Sequence, residues 1–317
     1  RRSDGARFST ADCDMSLPDW IQRLRYHSSL RVLARWLPQP LGHFYSPVTD
    51  PDALAIDAAR LWPAQAEAPG IDLHLDAQRL LLREAFPPLL AEFDYPHAAS
   101  DDPQQFHCGN SQFSMADARA LFALLRHWRP ARMIEVGSGF STLLAADVNL
   151  RFLGDSLQLT AIEPYPRDFL HGLAGLHALR IERVQDTPQT VFDSLTAGDV
   201  LFIDSSHVLK TGSDLTHLLT RVLPTLRPGV RVHLHDVFLP DDYPPHWAIA
   251  ENRSWNEQYA LQAMLANSPR YRVLFGTQCA LTRLADDARA AFGAMAGQPW
   301  QGGSFWIEVV DPNDPRA

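Results

Sequence analysis

From residue 131 to residue 309 the chain alternates short apolar runs with segments of helix length. The runs predicted as strands cover 133–136, 157–162, 178–184, 200–203, 230–234, 271–275 and 304–309. Strands separated by helix-length segments are typical of a parallel, doubly wound sheet, whose ligands bind beyond the carboxyl ends of the strands. The sequence therefore predicts an α/β fold of about seven strands with a ligand site along that edge.

The first predicted strand carries an acid, Glu135, and then runs into a turn that contains Gly137 and Gly139. The glycines permit a tight turn and a close approach to a ligand, and Ser141 or Thr142 can cap the helix that follows. A dinucleotide fingerprint would have a third glycine at Thr142, and Glu135 would repel a phosphate. A cationic ligand without phosphate is favoured instead, and S-adenosylmethionine, with its ammonium and sulfonium groups, fits that description.

Polar side chains also follow the next four predicted strands. Glu163 is placed to accept both hydroxyls of a ribose, although an acid at this spacing also occurs in nicotinamide enzymes. Asp186 follows the third strand, where it could also cap the next helix. The fourth strand ends in Asp204-Ser205-Ser206-His207 and the fifth in His235-Asp236. The carboxyl ends of parallel strands share one edge, so these groups are expected near the glycine turn.

His207 is the candidate base of this group. Methyl transfer to oxygen requires an unhindered approach to the methyl carbon and removal of the acceptor proton. Histidine, with an ordinary pKa of about 6.5, suits the second task. The sequence therefore predicts His207 as general base, with Asp204 and Asp236 placing the acceptor. The alternative is that His207 is a structural residue at a helix start, bonded to a neighbouring carboxylate.

The acid and glycine pattern of 135–139, together with the strand and helix pattern of 110–310, resembles the class I S-adenosylmethionine-dependent methyltransferases. The resemblance implies a Rossmann-like sheet whose last strand is antiparallel beside its predecessor. It also implies that Asp186 receives the adenine amino group. The cofactor-binding residues expected on this basis are Glu135, Gly137, Ser138, Gly139, Ser141, Glu163, Asp186 and Asp204.

The Asp-Ser-Ser-His and His-Asp elements resemble a bacterial branch of small-molecule methyltransferases, similar to the catechol-type and macrolide-sugar O-methyltransferases. In those enzymes acids at the same two strand ends hold a divalent metal, which implies Asp204 and Asp236 as metal ligands. Val237 stands where the catechol-type pattern has an amide ligand. A metal-free site with His207 as base is therefore an equally compatible interpretation.

The acceptor is expected to be a small molecule bound near the proline-rich stretch 238–247. Tyr243 and Trp247 lie in this stretch, and aromatic side chains on loops at a cleft often line a binding pocket. Together with His235 and Tyr45 they are the predicted acceptor-binding residues. A purely structural role, with Trp247 packed inward, is the alternative.

The first hundred residues differ from the rest. Helical patterns at 17–37 and 76–93, the second interrupted at Pro87-Pro88, flank a proline-rich stretch. The sequence predicts an N-terminal helical appendage over 1–105 and a catalytic domain over 106–317. The segment 17–37 interleaves arginines with apolar residues, so it could dock on the catalytic domain or lie on an anionic membrane surface. A dimer contact is a further possible role for the appendage.

Charge and cysteine usage restrict the partners. The formal net charge of −9 argues against a general nucleic-acid binder, which needs a basic surface. The three cysteines form no Cys-x-x-Cys pair, so neither a disulfide framework nor a zinc site is indicated. No apolar run approaches the roughly 20 residues that span a bilayer, which predicts a cytoplasmic protein. The competing functions are an NAD(P)-dependent oxidoreductase and a non-catalytic nucleoside-binding scaffold.

Overall fold

The computed structural model of the protein describes residues 39–295, 297 and 299–312. The helix predicted at 17–37 lies outside the described residues. Among these residues the chain forms two compact units: one contains 39–61 together with Pro244–Ser254, and the other contains Trp62–Tyr243, 255–295, 297 and 299–312. Residues 62–105 thus group with the sheet. The predicted division into a helical appendage over 1–105 and a catalytic domain over 106–317 stays a prediction.

The larger unit is built on a mixed sheet with seven strands among the described residues. Their order is β3-β2-β1-β4-β5-β7-β6. Neighbours from β3 to β5 pair in parallel, whereas β7 is antiparallel to both β5 and β6. The strands are β1 Arg132–Val136, β2 Gln158–Ile162, β3 Ala178–Arg180, β4 Val200–Ile203, β5 Arg231–Leu234, β6 Tyr271–Gly276 and β7 Phe305–Val309. The predicted doubly wound sheet with an antiparallel last strand is confirmed.

Helices cover both faces of this sheet, because alternate strand residues enter different cores. Met133 and Phe202 belong to one apolar cluster, and their neighbours Ile134 and Leu201 belong to the other. The α-helices of this unit are α1 Leu75–Leu80, α2 Phe86–Leu90, α3 Met115–Trp128, α4 Phe140–Phe152, α5 Gln189–Phe192, α6 Asp214–His217, α7 Glu257–Leu265, α8 Thr277–Arg283 and α9 Ala285–Phe292. Short π-helical segments, Leu81–Ala85 and Leu218–Val222, continue α1 and α6.

Helices α3 and α2 begin in different ways. Helix α3 begins at a side-chain cap, where the Ser114 hydroxyl accepts a hydrogen bond from the Asp117 amide at 3.1 Å. The helix predicted at 76–93 is not broken at its prolines. They fall in the first turn of α2, where a backbone N–H is not needed, and the irregularity is the preceding π segment.

The third strand is shorter than its sequence pattern predicts. It ends at Arg180 instead of continuing to Val184, and Ile181 is exposed. β3 lies at the edge of the sheet and pairs with β2 alone, so little holds the chain in an extended conformation there. Arg180 instead pairs with Glu182 at 2.7 Å, next to a 3₁₀ turn, Val184–Asp186.

The smaller unit joins two distant parts of the chain. It contains the helices Pro51–Ile56 and Ala58–Leu61 and a π-helical segment, His246–Ala250. The Thr49 hydroxyl donates a hydrogen bond to the Asn252 side-chain oxygen at 3.0 Å, and the Thr49 amide donates one to the Ser254 hydroxyl at 3.1 Å. These bonds hold the segment 244–254 against the first part of the chain.

Candidate active site

The glycine turn between β1 and α4 is shaped by the strand beside it. Gly137 has φ +79°, and a Cβ there would lie 1.7 Å from the backbone oxygen of Asp204. The turn and the end of β4 are therefore in backbone contact. At Gly139 a Cβ would be 4.0 Å from its nearest neighbour, the side-chain oxygen of Gln112. The predicted close approach of a ligand thus fits Gly139, while the space beside Gly137 is filled by the protein itself.

Glu135 is fully buried beside this turn. The Ser141 hydroxyl donates a hydrogen bond to its Oε1 at 2.6 Å, whereas Oε2 has no hydrogen-bond partner among the described residues. Burial raises the pKa of Glu135 to about 8, and the nearby charges of Asp204 and Glu163 act in the same direction. A buried carboxylate with an unpaired oxygen is costly unless a cation or donor reaches it. Its geometry suits an ammonium group.

Of the two residues predicted as possible caps of α4, Ser141 is not the one that acts at the helix start. The hydroxyl of Thr142 instead accepts a hydrogen bond from the Gly139 amide at 2.9 Å. The two hydroxyls at the start of α4 therefore have separate roles. Thr142 stabilises the helix start, and Ser141 orients the buried acid.

Glu163 lies at the other side of the turn. Its Oε2 accepts a hydrogen bond from the Ser138 amide at 3.3 Å and its Oε1 accepts one from the Tyr165 amide at 2.8 Å. These bonds fix the carboxylate at the end of β2 while leaving lone pairs for further donors. The structure therefore brings Glu163, Ser138 and the glycine turn together, as the sequence predicted.

Asp186 has a different setting. It is exposed in the 3₁₀ turn after β3, and both of its carboxylate oxygens accept hydrogen bonds from the Arg183 guanidinium, at 2.8 and 3.0 Å. It does not cap the next helix, since α5 begins at Gln189 without a side-chain cap. The role of Asp186 in adenine binding stays a prediction.

The acids at the ends of β4 and β5 converge on His207. The His207 Nε2 atom lies 3.5 Å from Oδ1 of Asp204 and 3.5 Å from Oδ2 of Asp236. His207 and Asp236 have φ values of +58° and +57°. Residues other than glycine rarely adopt this left-handed conformation, and such strain concentrates at functional sites. The three residues that the sequence predicted as catalytic thus form one cluster.

Sequence reasoning missed the partner on the other side of the ring. His207 Nδ1 is hydrogen-bonded to Oε1 of Glu257, which is buried at the start of α7, and the Trp255 ring stacks on the imidazole at 4.2 Å. Burial lowers the pKa of His207, but the carboxylates of Glu257, Asp236 and Asp204 outweigh it and raise the value to about 9. The ring is therefore an imidazolium at neutral pH in the ligand-free protein.

Two further histidines lie on β5 and directly after it, with their ring centroids 5.6 Å apart. His233 stacks on Phe202 at 3.7 Å and bonds to the Ser304 hydroxyl at 3.0 Å, and burial holds its pKa well below the ordinary value. It is a neutral residue of the core. His235 is also buried, which lowers its pKa, but the carboxylates of Asp204, Asp236 and Asp117 raise it overall. Its Nε2 lies 3.6 Å from Oδ1 of Asp236, so His235 borders the cluster.

The predicted acceptor-binding aromatics fall in both units. Tyr243 belongs to the larger unit and is buried, with its hydroxyl accepting a hydrogen bond from the Gln258 amide at 3.1 Å. Tyr45 and Trp247 belong to the smaller unit. Tyr45 is exposed and contacts Phe44 edge-on, with ring centroids 4.6 Å apart. The Arg253 guanidinium lies over the Trp247 ring at 4.2 Å. Acceptor contacts by His235, Tyr45, Tyr243 and Trp247 stay predictions.

The predicted metal ligands face the imidazole. Within residues 39–295, 297 and 299–312, no group of three or more His, Cys, Asp or Glu side chains is placed to hold a metal ion. The carboxylates of Asp204 and Asp236 each have an oxygen 3.5 Å from Nε2 of His207. Val237, at the position of the missing amide ligand, is buried, and its amide donates to the Gly303 oxygen at 2.9 Å. This donor set supports the metal-free interpretation better than the metal site.

Comparison with known proteins finds two sequence similarities. A family model described as a methyltransferase domain matches residues 134–237, from the first strand through Asp236. An uncharacterized protein of Archaeoglobus fulgidus is 36% identical over 162 residues, which are 49% of this chain and 73% of that protein. The chain belongs to the class I S-adenosylmethionine-dependent methyltransferases. The matched segment contains each of the predicted catalytic residues.

Two solved structures are also similar to this methyltransferase. A candidate O-methyltransferase from Klebsiella pneumoniae is 18% identical with a TM-score of 0.34, over 92% of this chain and 99% of that one. The methyltransferase PaMTH1 of Podospora anserina, bound to S-adenosylhomocysteine, is 16% identical with a TM-score of 0.37, over 87% and 100%. At these TM-scores neither similarity carries weight. Among the described helices, none is long and apolar enough to cross a membrane.

Proposed function

We propose that the protein transfers the methyl group of S-adenosylmethionine to a hydroxyl oxygen of a small molecule, with His207 as general base. The observation that carries the proposal is the His207 ring, whose Nε2 lies 3.5 Å from both Asp204 and Asp236. Asp204 is also in backbone contact with Gly137. A proton acceptor, two acids and the glycine turn therefore lie at one edge of the sheet.

The cofactor half of the site rests on Glu135 and Glu163. The unpaired, buried Oε2 of Glu135 is the proposed partner of the cofactor ammonium group, and Glu163, anchored by the Ser138 amide, is the proposed partner of the ribose hydroxyls. Open space at Gly139 leaves room between them. Asp186 is retained as the proposed contact of the adenine amino group. A pyrophosphate supplies no cation that could stabilise the ionised form of Glu135 and would be repelled by it, so the geometry favours S-adenosylmethionine over the nicotinamide alternative.

The acceptor half rests on His207 and the two acids. Neutral His207 takes the hydroxyl proton at Nε2, and the acceptor oxygen forms a bond to the methyl carbon as the carbon–sulfur bond breaks, with its electron pair passing to sulfur. The products are a methyl ether, S-adenosylhomocysteine and the imidazolium of His207. Asp204 and Asp236 stabilise that imidazolium and orient the hydroxyl. When bound, S-adenosylmethionine would bring a sulfonium charge to this edge of the sheet; a cation close to His207 would lower its pKa and so raise the fraction of neutral ring.

The test is release of S-adenosylhomocysteine from S-adenosylmethionine in the presence of a panel of small hydroxylated compounds, namely a catechol, a flavonoid and free sugars. The proposal expects turnover with at least one of them, retained after chelation and strongly reduced in His207→Gln. Glu308→Gln, which alters a carboxylate paired with Arg272 on β6, serves as the control and should be fully active. Turnover that requires added Mg²⁺ would return Asp204 and Asp236 to the role of metal ligands. Transfer to amines alone would refute the oxygen acceptor.

A homodimer and a cytoplasmic location stay predictions.

A further inference from the structure

Three consecutive residues before and at the start of α7 contact the loop that carries His207. The Trp255 ring stacks on the imidazole at 4.2 Å with a tilt of 30°. The Asn256 amide donates to the His207 backbone oxygen at 3.2 Å, and its side-chain oxygen accepts from the Leu209 amide at 2.6 Å. Glu257 bonds to Nδ1 of the ring. Residues 255–257 thus hold the backbone, the ring face and one ring nitrogen of a single histidine.

This contact resolves two unfavourable features. His207 occupies the left-handed region with φ +58°, a conformation that is unfavourable for a residue other than glycine and persists only where surrounding contacts impose it. Glu257 is 1% exposed, and a buried carboxylate is stable only when it is paired. The contact with Glu257 therefore helps hold His207 in its left-handed conformation, and His207 is the partner that the buried carboxylate of Glu257 needs. The ring is held in one orientation as a result.

Orientation decides which ring nitrogen can act as a base. A neutral imidazole carries one proton, and the nitrogen without it is the acceptor. Asp204 and Asp236 both face Nε2, and carboxylates accept hydrogen bonds, so on their own they would draw the proton to Nε2. A carboxylate on Nδ1 favours the opposite tautomer, because Nδ1–H then donates to it.

We propose that Glu257, supported by Trp255 and Asn256, is a positioning residue that keeps the proton of neutral His207 on Nδ1 and leaves Nε2 free toward Asp204 and Asp236. That Nε2 then receives the acceptor proton rests on the proposed function. The state of the ring itself does not, since it is a property of the ligand-free protein. The orientation and the chemistry can therefore be tested separately.

The tautomer is measured by nitrogen-15 NMR of histidine-labelled protein at a pH above the titration of His207, with chelator present. The His207 signal is the one that disappears in His207→Gln. The proposal expects the proton on Nδ1 in the wild type and in Glu257→Gln, whose amide oxygen can still accept it. Glu257→Met, of similar length but without an acceptor, should move it largely to Nε2. The matched control is again Glu308→Gln, which should leave the signal unchanged.

A proton on Nε2 in the wild type would overturn the proposal, and so would an unchanged tautomer in Glu257→Met. The wild-type result decides the matter if Glu257→Met does not fold. For a compound turned over by the wild type, the proposal expects kcat to fall about 10- to 100-fold in Glu257→Met, with KM and S-adenosylhomocysteine affinity unchanged and activity restored in Glu257→Gln. An Nδ1 proton in a protein that methylates no hydroxyl would sustain the positioning role and refute the proposed function instead.

Discussion

Replacing Glu135 with glutamine is expected to stabilise the ligand-free protein at alkaline pH and to weaken its binding of S-adenosylhomocysteine. Both effects have one cause. The Glu135 carboxyl is completely buried and one of its oxygens has no partner among the described residues, so ionising it inside the folded protein is unfavourable until a cation arrives. Glutamine has nearly the same shape and can still accept the hydrogen bond from Ser141, but it cannot ionise.

The magnitude follows from the pKa. Burial raises the pKa of Glu135 from 4.5 to about 8, and each pH unit between unfolded and folded values corresponds to about 1.4 kcal/mol. Between these values the unfolded carboxyl is ionised while the folded one keeps its proton, so stability falls as pH rises from about 4.5 to 8 and is then level. The full loss in the free energy of unfolding is about 5 kcal/mol, and about 4 kcal/mol of it develops between pH 5 and pH 9.

Urea unfolding of the wild type and of Glu135→Gln at pH 5 and pH 9 measures this difference. The stability gained by the variant should be larger at pH 9 by about 4 kcal/mol, whereas Glu308→Gln should show no comparable dependence. Calorimetry at pH 8 should show at least about tenfold weaker binding of S-adenosylhomocysteine by Glu135→Gln, or 1.4 kcal/mol. A pH-independent stability difference would refute the buried, protonated carboxyl. Unchanged or tighter binding by the variant would refute its pairing with the ammonium group.

Three further predictions concern the rest of the site. The kcat/KM for S-adenosylmethionine should rise with pH through the free-enzyme His207 pKa of about 9 and level off above it, because the base must be neutral. A flat profile in steady-state assays would contradict this. His207→Gln should lower kcat/KM about 10²- to 10⁴-fold with unchanged cofactor affinity. Glu163→Ala should weaken S-adenosylhomocysteine binding by roughly 1.5–3 kcal/mol, and unaltered calorimetric affinity would remove Glu163 from the ribose site. Gly303→Ala should destabilise the protein by about 1–3 kcal/mol and reduce turnover, since the new Cβ would lie 2.8 Å from the Cα of Asp236; a melting temperature and activity equal to wild type would refute that contact.

The sheet and its polar edge could be predicted because their signals are local. Apolar runs of strand length mark β1, β2, β4 and β5, and the residue that follows a parallel strand lies at the shared edge whatever the helices do. Glu163, Asp204 and Asp236 were therefore placed correctly without any knowledge of contacts. The length of β3 was overestimated, because whether a strand lies at the edge of the sheet depends on the strand order, which the sequence of one segment does not show.

The contacts that define the chemistry could not be read from the sequence. Glu257 is 50 positions from His207, and an acid in the first turn of a helix is usually explained by the helix dipole. Asp117 also lies in the first turn of a helix, α3, yet its two oxygens accept hydrogen bonds from the amides of Gly303 and Ser304, which lie 186 and 187 positions away. Burial gives these acids their roles, and burial is a property of the assembled fold.

The central claim is that the glycine turn and its two glutamates bind S-adenosylmethionine. Calorimetric titration of the protein with S-adenosylhomocysteine, with NADH as the comparison and with chelator present, tests it most directly. A dissociation constant of about 1 μM, or roughly −8 kcal/mol, is expected for the first ligand, with no detectable binding of the second. Tight binding of NADH, or binding of neither ligand, would contradict it.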